Sequence, residues 1–368
     1  MKIQAKRSIL LALSLLLLLG GCGYKDLDKR FFVVGIGVDK VENKENVYKI
    51  TLKLAVPSAD IIKGSSEFEI ITEEAETIAE AVRILKSKVD KELDFGHAKI
   101  IILGESVTDE DITSLLYWFV RRRDIQKIAW MAVGDPSAEE VLKGKTKSER
   151  IPSNSLFLSF GRSGTESAYI ISKYLFQFRR ELFNTGRNAV LPVIQAPKDD
   201  LFEINQAIVF NDDRKQEMKL NSAETRLLNV LNNTIDKIDV KVNKEDQYFI
   251  IATESISVHY KIVEGHEKSP ELRVDLKLTG ILEEAKQRLF ENKMEYYGKI
   301  ASIDIKNEIE KLLVKFQEAN VDPLGFGLLY QATHFQNDTE MKEWQELYPS
   351  LKIDVHVDTE LEGVGLVK

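Results

Sequence analysis

The 368-residue chain carries a single cysteine, Cys22. One thiol allows no intrachain disulfide, so stability has to come from packed cores, and a chain of this length can bury them. Histidine is almost as scarce. His97, His259, His266, His334 and His356 are scattered, with no HExxH and no His/Asp grouping at metal-ligand spacing, so no metal and no cofactor is expected. His97 reads as a loop histidine, since no partner for a general base is in sight. There is no GxSxG elbow, no Walker loop and no GxGxxG; Gly35-Ile-Gly37 and Gly325-Phe-Gly327 are fragments that read as tight packing or turns. Glu73, Glu74 and Glu76 read as a solvated acidic face. No catalytic residue is assigned, and the chain is expected not to be an enzyme. Positive charge is also short: the formal net charge is −8. That argues against nucleic acid as a partner and against adhesion to anionic lipid by charge. Long apolar runs are nearly absent. The longest, Ile9 to Leu19 with Ser14 inside it, is too short to cross a hydrocarbon core of about 30 Å, which takes roughly 20 residues.

That run nevertheless organises the chain. Lys2, Lys6 and Arg7 precede it, and Leu19-Gly20-Gly21-Cys22 follows. A basic head, an apolar middle and small residues at the end make a secretory signal peptide. A branched apolar residue, two small ones and cysteine also fit a lipobox. The Cys22 thiol would accept a diacylglycerol, and the amino group freed by cleavage can take a further acyl chain such as palmitate. Two or three chains anchor a protein stably where one is marginal. An ordinary signal peptide with a chance cysteine is the alternative. Cleavage before Cys22 removes three positive charges and no negative ones, taking the net charge from −8 to −11.

The whole chain is 43% hydrophobic and 30% charged, the composition of globular domains. Residues 22–30 form a charged tether. Phe31 to Asp39 and the alternating Tyr48 to Val56 read as a strand hairpin, with Phe68 to Ile71 as a third strand. Thr77-Ile-Ala-Glu80 is a capping box before a helix with Ile78, Val82, Leu85 and Val89 on one face. Lys99 to Gly104 is a central strand. Thr108 to Asp111 caps a helix with Leu115, Leu116 and Phe119 inside, and Arg121, Arg122 and Arg123 at its C-terminal end suit the helix dipole. A strand at Lys127 to Val133, a short helix at Asp135 to Leu142, a linker at Lys143 to Ser148 and a helix at Glu166 to Phe183 follow. A strand at Ala189 to Ile194, broken by Pro192, leads to a boundary at Pro197 to Asp200. Beyond it come a hairpin around Asn211 to Arg214, a helix capped by Asn221, and strands at Ile235 to Val242, Tyr248 to Val263 and Leu272 to Leu282. A long helix at Tyr297 to Ala319, a short helix around Trp344 and a last strand at Ile353 to Val357 complete the chain.

The expected fold is α/β and α+β, multi-domain, with mixed sheets and flanking helices; the C-terminal domain is an antiparallel sheet with one long helix. The expected division is 1–21 signal peptide, 22–30 tether, 31–135 N-terminal α/β domain, 136–200 a mostly helical subdomain or extension, and 201–368 C-terminal α+β domain.

Several pieces together resemble the Ger(x)C family of spore germination lipoproteins, the C subunits of nutrient germinant receptors. They are the lipobox at Cys22, Gly35-Ile-Gly-Val-Asp39, Phe95-Gly-His97 with Lys99 to Glu105, Ala189-Val-Leu-Pro192, Ala207-Ile-Val-Phe210, Glu224-Thr225, Gln317, Gly325-Phe-Gly327, and Trp344 before Tyr348-Pro349. The resemblance covers essentially the whole mature chain. It implies a non-enzymatic subunit anchored by Cys22 on the outer face of the inner spore membrane. Its partners would be two integral-membrane subunits, one with large soluble domains and one permease-like. The alternative is a solute-binding lipoprotein that delivers a small nutrient to a transporter, although the two halves differ in pattern. For a partner-facing surface the candidates are strand edges of the first domain and the apolar turn Leu324 to Tyr330, with plain core packing of that turn as the alternative.

Overall fold

The computed structural model describes residues 29–56, 67–144, 156, 159–161, 167–198, 201–235, 237–244, 247–264, 270–334 and 339–363. Cys22, the segment read as a signal peptide and most of the 143–163 stretch lie outside them. Two sheets organise these residues.

The first sheet holds β1 (Arg30–Lys40), β2 (Tyr48–Val56), β3 (Glu67–Ala75), then helix α1 (Ile78–Lys88), β4 (Glu92–Asp94), β5 (Ile100–Gly104), α2 (Thr113–Arg121), β6 (Trp130–Asp135), α3 (Ala138–Lys143), α4 (Leu175–Leu182), β7 (Val190–Lys198), β8 (Leu201–Phe210) and β9 (Gln216–Leu220). Its order is β3-β2-β1-β5-β6-β7-β8-β9, with β4 also beside β1. The centre β1-β5-β6-β7 is parallel and both flanks are antiparallel. β5, Ile-Ile-Ile-Leu-Gly, is buried throughout, because parallel strands are covered on both faces. Alternate residues show the two covers. Ile101 and Leu103 join a core with α1, α2 and α4, while Ile100 and Ile102 pack under α3.

The second sheet follows α5 (Ser222–Leu231) and has the order β10 (Asp239–Lys244), β11 (Gln247–Glu264), β12 (Pro270–Ala285), β13 (Lys352–Leu361). Between β12 and β13 lie α6 (Met294–Glu318), α7 (Phe326–Thr333) and α8 (Glu340–Leu347). The α6 stripe Ile305, Ile309, Leu312 and Phe316 is buried against this sheet. Each such side chain contributes about 2 kcal/mol of burial free energy. Gly298 lets α6 reach β13: a Cβ there would sit 2.5 Å from the Thr359 carbonyl oxygen.

The mixed sheets with flanking helices match the expected fold class, and several local readings need correction. The C-terminal sheet is not wholly antiparallel. β13 runs parallel to β12, because a helical crossover returns the chain to the end where β12 started. Glu166 to Phe183 is not one helix. Only Leu175–Leu182 is helical, since β6 captures the preceding residues: the Met131 N–H donates to Lys173 O at 2.8 Å and the Leu175 N–H to Ala129 O at 2.8 Å. Thr108 does not cap α2; its hydroxyl donates to Glu105 O, and Asp111 receives the Thr113 N–H instead. The helix after Pro136 starts at Ala138, capped by Ser137. Pro192 does not break β7. It pairs with Ala207 of β8 and precedes Val193, where pairing to β6 begins, so its missing N–H costs no bond to the parallel neighbour. The sheet also runs across the boundary read at Pro197 to Asp200, since β8 and β9 are hydrogen-bonded onto β7.

Candidate functional site

The residues singled out in the sequence fall into two constructions. The first is a platform on the central strands. Gly35 and Gly37 of β1 lie directly under α3, and a Cβ on either would come 2.8–2.9 Å from Leu142. Gly134 is as tightly placed under Ser137 and Ala138, and Gly104 under Asp39. Asp39, at the end of the Gly-Ile-Gly-Val-Asp run, turns its carboxylate to the start of α3. Its Oδ1 accepts the Ala138 N–H at 2.7 Å and its Oδ2 the Glu139 N–H at 2.8 Å. Burial pushes the Asp39 carboxyl above its ordinary pKa, although those two N–H groups pull the other way. The glycines bring helix and strand into contact, and the aspartate satisfies helix donors that would otherwise be buried alone. Asp39→Ala is expected to lower unfolding free energy by about 2 kcal/mol at neutral pH, read from a urea unfolding midpoint.

The second construction joins the two sheets. The loop 186–188 before β7 meets the turn after α6. The Asn188 N–H donates to Asp322 O at 2.8 Å, and the Asp322 N–H returns to Asn188 Oδ1 at 2.6 Å. Asn188 Nδ2 also donates to Asp212 at 3.1 Å, and Gln345 of α8 reaches the other Asp212 oxygen. Asp322 is buried; Oδ1 accepts the Gly325 N–H and Oδ2 the Gly327 N–H, both at 2.7 Å. Burial drives its pKa up to about 6, against the pull of those backbone donors and of nearby Arg187. Gly325 stands at φ +82°, a left-handed conformation open to glycine, over the Arg187 side chain. A Cβ on Gly327 would lie 2.7 Å from Trp344 Nε1 and 3.0 Å from Gly186. Trp344 then packs between Tyr330 and Tyr348, at 5.4 and 5.2 Å between ring centroids. Gln317, late in α6, donates to the Tyr348 and Leu351 carbonyls. Glu224 closes the capping box of α5 with Asn221 and pairs with Lys315 of α6 at 2.7 Å. Within the turn Leu324 to Tyr330, Phe326 and Tyr330 are core residues, which is the packing alternative.

Beside this joint lies a cavity of about 480 Å³ bounded by Trp130, Tyr174, Lys173, Arg187, Leu228 and Asn229, among others. The Trp130 and Tyr174 rings stack at 3.9 Å. Lys173 pairs with Glu181 at 2.6 Å. The Arg187 Nη2 donates to Asn232 Oδ1 at 2.8 Å, while its buried Nε has no hydrogen-bond partner. Neither Asn188, Arg187 nor Asp322 was assigned a partner from sequence. The one available signal was Asp322 three residues before a glycine, the spacing of a side-chain-closed turn.

The other candidates are structural. Arg122 lies over Phe95 and Trp118 and bonds to Asp124, and Arg121 lies over Tyr117. Glu73 pairs with Lys88, and Glu74 with Lys44. His97 is exposed and edge-on to Phe32. His259, Asp275 and His356 share one row across β11, β12 and β13, which sequence spacing did not reveal. Among the described residues no three His, Cys, Asp or Glu side chains are grouped to hold a metal ion, and no helix is long and apolar enough to cross a membrane.

Comparison with known proteins gives matches over nearly the whole chain. Residues 23–196 match the family described as spore germination protein N-terminal domain. Residues 205–365 match spore germination B3/GerAC like, C-terminal. Spore germination protein GerQC of Bacillus cereus is 22% identical over 83% of this chain and 85% of its own. Putative spore germination protein YfkR of Bacillus subtilis (strain 168) is 21% identical over 97% and 96%. Spore germination protein KC of the same strain is 21% identical over 98% and 95%. The crystal structure of the GerBC protein superposes with a TM-score of 0.59 at 16% identity, covering 92% of this chain and all of that one.

Proposed function

Since the chain belongs to the Ger(x)C family of spore germination proteins, we propose that it is the lipid-anchored, non-enzymatic C subunit of a nutrient germinant receptor. In this reading Cys22 carries the lipid, and the protein sits on the outer face of the inner spore membrane. There it stands beside a large-domain membrane subunit and a permease-like subunit, and it is needed for receptor assembly and for triggering germination. The observation that carries the reading is the pair of adjoining family matches, residues 23–196 and 205–365. The lipobox immediately before Cys22 supports the anchor. The joint supports a structural role. It spends the residues of the Gly325-Phe-Gly327, Trp344 and Gln317 motifs on holding the two sheets in one arrangement, as a subunit that presents a fixed surface to others requires.

Deleting the gene, in a strain without a compensating paralogue, is expected to abolish germination by nutrients and leave germination by calcium dipicolinate intact. A normal nutrient response in that strain would refute the proposal. Mass spectrometry of proteins retained with this chain from detergent-solubilised inner membranes should find the two integral-membrane subunits. Recovery of transporter components alone would favour the solute-binding alternative.

A further inference from the structure

The cavity beside the joint has features that core packing does not account for. Its volume of about 480 Å³ is in the range of small-molecule sites, roughly 300–1,000 Å³. One wall is aromatic: Trp130 stacks on Tyr174, with Phe160 at 5.8 Å from Trp130. Ile170, Val190 and Leu228 extend the apolar lining. The charged groups are Lys173 and Arg187, and they differ in one respect. Lys173 has its counter-ion in Glu181. Among the described residues Arg187 has no ion pair, only the single bond to Asn232, and its Nε is buried without an acceptor. A buried guanidinium N–H without an acceptor is destabilising. Arg187 is also held in place, with its stem against Gly325 and its head tied to Asn232. A fixed guanidinium with donors to spare is the group that recognises a carboxylate.

We propose that this cavity binds a small monocarboxylate with an apolar or aromatic body, its carboxylate received by Arg187 and its body laid against Trp130 and Tyr174. The inference does not depend on the receptor-subunit reading, and either can fail alone. Asn232 bonds to this arginine and Gly325 of the joint lies over its side chain, so occupancy of the cavity bears on the contact between the two sheets.

The test uses the full-length protein in detergent, titrated calorimetrically with phenylacetate and with its uncharged analogue phenylacetamide. Phenylacetate is expected to bind saturably and phenylacetamide about tenfold or more weakly. Arg187→Gln is expected to weaken phenylacetate by about tenfold or more, down to the amide's level. Should that variant unfold, Ile235→Trp provides a second arm: it fills the cavity from its rim and leaves Arg187 and its partners alone, and it should abolish binding. The proposal is overturned if neither probe saturates up to about 10 mM, if the two bind equally, or if a folded variant of either kind binds phenylacetate like the parent.

Discussion

Replacing Asp322 by alanine is expected to lower the unfolding free energy by about 4 kcal/mol at pH 4 and by about 2 kcal/mol at pH 7. The larger figure comes from orphaned donors. Asp322 accepts the N–H groups of Gly325 and Gly327, and each buried donor left unpaired costs about 1–3 kcal/mol. The decline with pH follows from burial. Folding raises the Asp322 pKa from 3.8 to about 6, so the folded chain binds this proton more tightly than the unfolded chain does. The contribution of the group is therefore fully present below its unfolded pKa of 3.8, and it is lost as pH rises through about 6. Alanine has no such term, so the difference between parent and variant narrows as pH rises, opposite to the behaviour of a salt-bridged carboxylate. Urea unfolding of both proteins at several pH values measures it. A difference that grows with pH would show that Arg187 and the backbone donors outweigh burial. Asp322→Asn keeps one acceptor and has no proton to lose, so its own stability should lack this pH term.

Cys22→Ala is expected to remove lipid attachment altogether and to shift the protein out of the membrane fraction, with no change in the unfolding of its domains. In the proposed reading the lipid on Cys22 supplies the membrane affinity. The apolar run Ile9 to Leu19 is short of the roughly 20 residues that span a bilayer. The net charge, −8 for the full chain, gives no attraction to anionic lipid. Two acyl chains on Cys22 would bring about 0.8 kcal/mol per buried CH₂, and the substitution would prevent their attachment. The cores are expected to be unaffected, since among the described residues the first strand begins at Arg30. Mass spectrometry of the N-terminus and fractionation in a strain lacking the partner subunits give the readout. A variant that stays in the membrane pellet, or that unfolds, would contradict the prediction.

Local elements were legible where one short-range signal settled them. The triple isoleucine of β5 declared a buried strand, and the alternation in β12 declared its faces; in β2 the same alternation misled, because Thr51 and Lys53 are buried as well. Thr77 and Asn221 marked helix starts, as their bonds to Glu80 and Glu224 bear out. The misreadings came where backbone from another element won. The periodicity of Ile170, Tyr174, Phe178 and Leu182 suited a helix, yet Trp130 and its neighbours on β6 drew the residues up to Tyr174 into extended pairing. The direction of β13 was set by the helical crossover, which no pattern within the strand encodes.

By itself the sequence determined the family, the class of fold and the position of Cys22 behind an apolar run, because these depend on residue order and short-range chemistry. The tertiary structure alone decided what the family motifs do. Gly35, Gly37 and Asp39 became the seat of a helix, and Gly325, Gly327, Gln317 and Trp344 became parts of one joint. Asn188 met Asp322 from 134 residues away, and Arg187 was left beside a cavity with a buried donor unused. Those pairings arise only when two sheets pack together, since burial creates the need for each partner and the fold determines which residue stands near enough to meet it.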